Sequence, residues 1–213
     1  MNKLRLTFEK GEAVRYIGHL DVLRTFVRAM RRAEIPVKYS EGFNPHAVMT
    51  FALPLGVGVT SECELVDIAV TDEPHLSDVI TRLNANLAPG GIKVVAAEYT
   101  DRPFREIIRA EYVIDIVNNG RLNIDDISAA LAQKEILIEK KSKKKVSEIN
   151  IMENIFESEI LGYTDFSVRL RVVISAGNTF NIKPQLVCDA LSTAAESLNP
   201  RAVFPCRKRF IFA

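Results

Sequence analysis

The sequence predicts an α+β protein of two tandem ferredoxin-like (β-α-β-β-α-β) domains with antiparallel sheets. Three observations carry the prediction. Several short segments alternate polar and apolar residues, as half-buried strands do. Between them lie segments with apolar steps of three and four, as in amphipathic helices. The element order of the first half then recurs, more loosely, in the second.

The first half parses as follows. Leu4, Leu6 and Phe8 alternate with Lys3, Arg5 and Thr7, giving a strand over 3–9. Leu20, Leu23, Phe26, Val27, Met30 and Ala33 share one helical face, and the helix stops before Pro36. A second strand starts at 37–39 and continues over 48–53; a third covers 64–70. A helix over 76–87 ends before Pro89, Gly90 and Gly91, and 92–99 is the last strand. In the second half, strands are expected at 111–117, 136–139, 146–151, 166–174 and 203–212. Helices are expected at 124–133, with Asp125 and Asp126 in its first turn, and at 184–198, with Pro184 at its start. "TDRPFR" (100–105) marks the boundary, so the expected domains are 1–102 and 103–213.

Composition narrows the function classes. A chain of 213 residues that is 47% apolar can bury a real core. The net charge of +1 selects no partner, so any nucleic-acid surface must come from local clustering. Cys63, Cys188 and Cys206 are widely spaced and form no CxxC, which fits a reducing, cytoplasmic setting better than a disulfide framework. No stretch approaches the roughly 18 apolar residues of a membrane span, so no membrane partner is expected. Walker, GxGxxG, HExxH and CxxxCxxC motifs are absent, and no cofactor or metal is predicted.

Local clusters are more informative. Arg24, Arg28 and Arg31 fall within about 40° of one another on the first helix, opposite its apolar face. Such a stripe suits bidentate recognition of phosphate or carboxylate, or else it is a solvated face paired with Asp21 and Glu34. "YSEGFNPH" (39–46) concentrates Tyr39, Ser40, Phe43, Asn44 and His46 around a turn signalled by Gly42 and Asn44-Pro45. Aromatic rings beside guanidinium groups make a platform for a planar ligand. "GVGVTSECE" (56–64) adds Ser61 and Glu62 beside two glycines. Lys140, Lys141, Lys143, Lys144 and Lys145 make a basic segment suited to a phosphate backbone or to guarding an edge, and "CRKRF" (206–210) is a weaker basic cluster. His19, beside Gly18 at the start of the first helix, is a capping residue or a general acid–base candidate.

The segments 16–32, 39–46 and 53–64, with weaker likeness in "KKKVSEINI", "FNIKPQLVCDAL" and "CRKRF", closely resemble the radical SAM-linked protein family of bacteria, a domain of unknown function. That resemblance implies a separate radical SAM protein as partner and an RNA or ribosome-related substrate. The resulting expectation is a non-catalytic accessory or recognition module. Arg24, Arg28 and Arg31 would take anionic groups, Tyr39, Ser40, Phe43, Asn44, His46, Ser61 and Glu62 would shape the pocket, and Lys143, Lys144 and Lys145 would lie along a backbone. The rival expectation is a metal-independent endoribonuclease resembling CRISPR repeat-processing enzymes, with His19 as base and Arg24 as charge stabiliser.

Overall fold

A computed structural model describes residues 3–141, 146–177 and 180–213. Among these residues the fold is a mixed α/β arrangement of antiparallel strands with four α-helices. It divides into two units, Met1–Glu106 and Ile107–Ala213. No described helix is long and apolar enough to cross a membrane.

The first unit runs β1 (Lys3–Lys10), α1 (His19–Arg32), β2 (Met49–Phe51), β3 (Thr60–Ala69), α2 (Leu76–Ala85) and β4 (Ile92–Thr100). Its strands lie side by side in the order β4-β1-β3-β2, each antiparallel to its neighbour. Period-2 alternation buries Leu4, Leu6 and Phe8 against Val66 and Ile68, while α1 contributes Val22, Phe26, Ala29 and Met30 and α2 contributes Val79 and Leu83. Phe8 and Phe26 meet edge to face at 4.7 Å, and Phe51 closes the cluster at 6.0 and 5.9 Å from them. The turn after β1 requires a glycine for closeness: a Cβ on Gly11 would sit 2.8 Å from the carbonyl oxygen of Gly90. The other sheet face of this unit holds a buried ion pair, with Arg5 bidentate to Asp67 at 2.7 and 2.9 Å.

Two expectations need correction here. Leu20, placed on the apolar face of α1 by its spacing, is 64% exposed. It lies in the first helical turn, ahead of the buried positions that begin at Val22. The second strand is only Met49–Phe51, and Val37 and Tyr39 make isolated bridges to Val70 and Ala47 instead of starting it.

The second unit runs β5 (Ile107–Asn118), α3 (Ile124–Leu131), β6 (Leu137–Lys141), β7 (Val146–Asn150), β8 (Ile155–Thr164), β9 (Ser167–Ser175), α4 (Pro184–Ala194) and β10 (Pro200–Phe212). Its main strands lie in the order β10-β5-β9-β8, all antiparallel. Among the described residues strands β6 and β7 pair only with each other, so the strands expected at 136–139 and 146–151 form a separate two-stranded sheet. With that small sheet set aside, element order and strand order repeat those of the first unit. The repeat is completed by β8, which the alternation of the sequence did not predict. Two bulges interrupt it, between Ile155 and Glu157 and between Ile160 and Gly162. Asn123 caps α3, its side chain accepting from the backbone N–H of Asp125.

One face of the second unit carries a ladder of charges. Glu111 accepts from Arg171 at 2.8 Å and from Arg209 at 2.8 and 3.0 Å, Arg171 also reaches Glu157 at 2.8 Å, and Arg169 grips Asp115 with two hydrogen bonds. Burial alone would push the Glu111 carboxyl up, but hydrogen bonds and charge from Arg171 and Arg209 outweigh it and hold it below the ordinary glutamate range. A carboxyl lowered in the folded state stabilises fully above its unfolded pKa, and that contribution disappears as pH falls through the folded value. Urea midpoints are therefore expected to drop on acidification below about pH 4.3, the ordinary glutamate pKa. Glu111→Gln should lower the midpoint at pH 7 and flatten this acid limb; an unchanged limb would remove the ladder from the acid response.

Candidate anion-binding groove

Helix α1 presents two apolar margins. Val22, Phe26, Ala29 and Met30 go into the core, while Leu23 and Val27, expected in the core by their spacing, stay half-buried. They form the floor of a groove of about 370 Å³, completed by Arg24 and Arg28 from α1, Tyr39, Pro45, His46 and Ala47 from the following loop, and Met49 from β2. The local sequence explains why the loop returns to the helix. Gly42 adopts φ +117°, a region that side-chain-bearing residues avoid, and reverses the chain. Ser40 and His46 then clasp the two limbs: Ser40 N–H donates to the His46 carbonyl at 2.8 Å, and His46 N–H donates to Ser40 Oγ at 3.1 Å. Ser40 Oγ also lies 2.8 Å from His46 Nδ1. When the hydroxyl donates to Nδ1, the neutral ring carries its proton on Nε2 and offers a donor there.

Among the described residues that line the groove, two are arginines and none is a carboxylate. Arg24 shares Asp21 at 3.1 Å, but both partners are more than half exposed, so the pair is weak and exchangeable. Arg28 makes no hydrogen bond or ion pair among the described residues. An unpaired guanidinium on an apolar floor, one helical turn from a second, can accept two neighbouring anionic groups or one bidentately.

Other expected site residues lie elsewhere. Arg31 is exposed in the last turn of α1 and does not line the groove. Asn44 and Phe43 occupy the loop tip, and Phe43 is 106% exposed. Ser61 is buried, its hydroxyl accepting from Cys63 N–H at 3.2 Å, and Glu62 is exposed beside it. Both belong to the start of β3, whereas Met49 pairs with Ile68 near its end. Seven residues of antiparallel strand separate those points, about 24 Å. Lys143, Lys144 and Lys145 lie outside the described residues. In the C-terminal cluster Arg207 is buried, donating to the Tyr112 hydroxyl at 2.9 Å, and Arg209 is committed to Glu111. Neither is a free basic surface.

His19 lines a different and much smaller cavity, about 10 Å³, with Lys10, Glu64 and Phe51. Its ring meets Phe51 edge to face at 4.9 Å. Lys10 donates to the carbonyls of Arg15 and Val59 at 2.8 and 3.1 Å. Burial pushes its pKa down, Glu64 opposes the shift and Arg15 adds to it. His19 and Arg24 thus line different cavities, His19 this small one and Arg24 the groove. Among the described residues no group of three or more His, Cys, Asp or Glu side chains could hold a metal ion.

The family model described as an uncharacterized protein conserved in bacteria (DUF2344) matches residues 3–184. The chain belongs to that family. DUF2344 thus covers the whole groove and most of the second unit. No curated protein matches the sequence. Among solved structures, a chain of a crystallised Cbf5–Nop10–Gar1 complex is similar over 97% of this chain and 48% of its own length, at 12% identity and a TM-score of 0.55. A structure of an H/ACA RNP bound to a substrate RNA containing 2'-deoxyuridine gives the same identity and TM-score over 97% and 47%. A likeness at that identity describes the fold. The DUF2344 chain spans about half the length of these matched chains.

The sequence could not have revealed Leu23, Val27, Pro45, Ala47 and Met49 as lining residues. Leu23 and Val27 carry a core signal and Pro45 a turn signal, and only the return of the loop onto α1 brings them into one wall. The Ser40–His46 clasp was legible only as composition, because its partners meet across a turn.

Proposed function

We propose that this chain binds RNA, holding its phosphates over Arg24 and Arg28 in the groove of the first unit. The single observation that carries this reading is the meeting of those two guanidinium groups with Tyr39 and His46 around an apolar floor free of carboxylates. Its fold likeness to chains of RNA-containing assemblies supports the choice of RNA over other polyanions. On this reading the chain is a recognition module, and a radical SAM protein acting on the held RNA is proposed from the resemblance of segments 16–32, 39–46 and 53–64. The repeated 4-1-3-2 strand order supports reading residues 1–102 and 103–213 as tandem ferredoxin-like domains.

The test is fluorescence polarisation with a labelled single-stranded RNA across a salt series. Replacing both Arg24 and Arg28 by alanine should weaken binding at least about tenfold at low salt. It should also lower the slope of log K against log salt by about 1.4, since each single-strand phosphate contact contributes about 0.7. A folded double variant with wild-type affinity and slope would sink the reading.

A further inference from the structure

We infer that Phe43 stacks on an unpaired nucleobase, which makes the groove selective for single-stranded over duplex RNA. The inference rests on the proposal that the groove holds RNA phosphates, and it adds which part of the RNA is read.

Phe43 has no role in the fold. Its side chain is 106% exposed, well above Tyr16 at 72% and Leu20 at 64%, so the folded chain gains nothing from burying it. Single exposed apolar side chains are common on protein surfaces, so what Phe43 can do is decided by its neighbours. The tip residues Glu41 to Pro45 project from a base closed by the Ser40–His46 clasp and by the Tyr39–Ala47 bridge immediately below it. A Cβ on Gly42 would meet no atom within 4 Å, so the glycine is required there for its φ of +117° and not for space. The clasp and the bridge anchor the loop on both sides of the tip that carries Phe43.

Position and charge select the occupant. Pro45 and His46, within three residues of Phe43, line the groove with Arg24 and Arg28. On the proposed reading, a strand whose phosphates lie on those arginines runs beside the loop that carries Phe43. Every base offers a π-face, so stacking needs no particular sequence. In an A-form duplex the bases are paired and stacked inside, and only loops, bulges and single strands can present one to a protein ring. An apolar pocket on a protein would also accept a phenylalanine, but it would not account for two guanidinium groups on a floor without carboxylates.

The experiment compares a single-stranded RNA carrying 2-aminopurine with a fully paired hairpin of the same composition, using the intact chain. Phe43→Ala is expected to weaken single-strand binding about tenfold, to leave hairpin binding unchanged and to abolish 2-aminopurine quenching; Phe43→Trp is expected to retain all three properties. Full exposure of Phe43 means that these variants fold, as circular dichroism would verify. Wild-type affinity and quenching in Phe43→Ala would overturn the inference. If the Arg24/Arg28 variant has meanwhile lost binding, the groove reading survives that failure. If neither variant changes binding, both fall. Loss of a protein complex by Phe43→Ala, with RNA binding intact, would assign the ring to a protein pocket and also overturn it.

Discussion

Asp67→Ala is expected to cost about 3–5 kcal/mol and to unfold the first unit at far lower denaturant. Arg5 and Asp67 are 3% and 6% exposed and joined by two hydrogen bonds. Arg5 also donates to the Arg102 carbonyl at 2.5 Å and lies over the Phe104 ring at 4.3 Å. Removing the carboxylate would leave a desolvated guanidinium with one backbone oxygen and a ring face. A buried pair need not stabilise more than apolar residues of similar volume, because both charges must be stripped of water. Arg5→Met with Asp67→Leu is therefore expected to recover most of the loss. Chemical denaturation of the single and the double variant checks this, and a single-variant cost under about 1 kcal/mol, as for exposed pairs, would show the site to be wet.

Phe26→Ala should be comparably severe, at about 3–5 kcal/mol. Its ring is 0% exposed and packs edge to face on Phe8 at 4.7 Å and Phe51 at 5.9 Å, so truncation leaves a void bounded by two rings that cannot both move in. The effect reaches the groove because Phe26 holds the helix whose outer side carries Arg24 and Arg28. Phe26→Leu should cost less and keep the proposed RNA binding at temperatures where the alanine variant has lost it. Thermal denaturation followed by circular dichroism, with polarisation on the same samples, separates the two effects. Equal melting of Phe26→Ala and wild type would mean that the cluster does not anchor α1.

Periodicity revealed most of the elements because most are covered on one face only. The burial of Leu4, Leu6 and Phe8 in β1 and of Val168, Leu170 and Val172 in β9 follows the alternation of the sequence. Strand β8 escaped for a physical reason: its bulges at Phe156 and Leu161 each insert a residue, so the period of two fails twice within ten residues. Leu23 and Val27 misled in the opposite sense, since helical spacing reports an apolar face but not whether a loop or a sheet covers it. Arg24 and Arg28 were legible because a step of four is a neighbour on any helix. Arg31 shares the stripe but lies beyond the reach of the loop. Ser61 and Glu62 shared a sequence neighbourhood with the site and not a place in the sheet, for strand direction carries them to the opposite end of β3.

The bulges of β8 also bear on solubility. This strand pairs with β9 on one side, and Phe156, Leu161 and Tyr163 on it are 43%, 46% and 61% exposed. A flat edge with such side chains would offer a row of free amides and carbonyls at even spacing, the template on which fibres grow. Two inserted residues break that spacing and twist the strand locally. An incoming strand could match only a few positions before losing register.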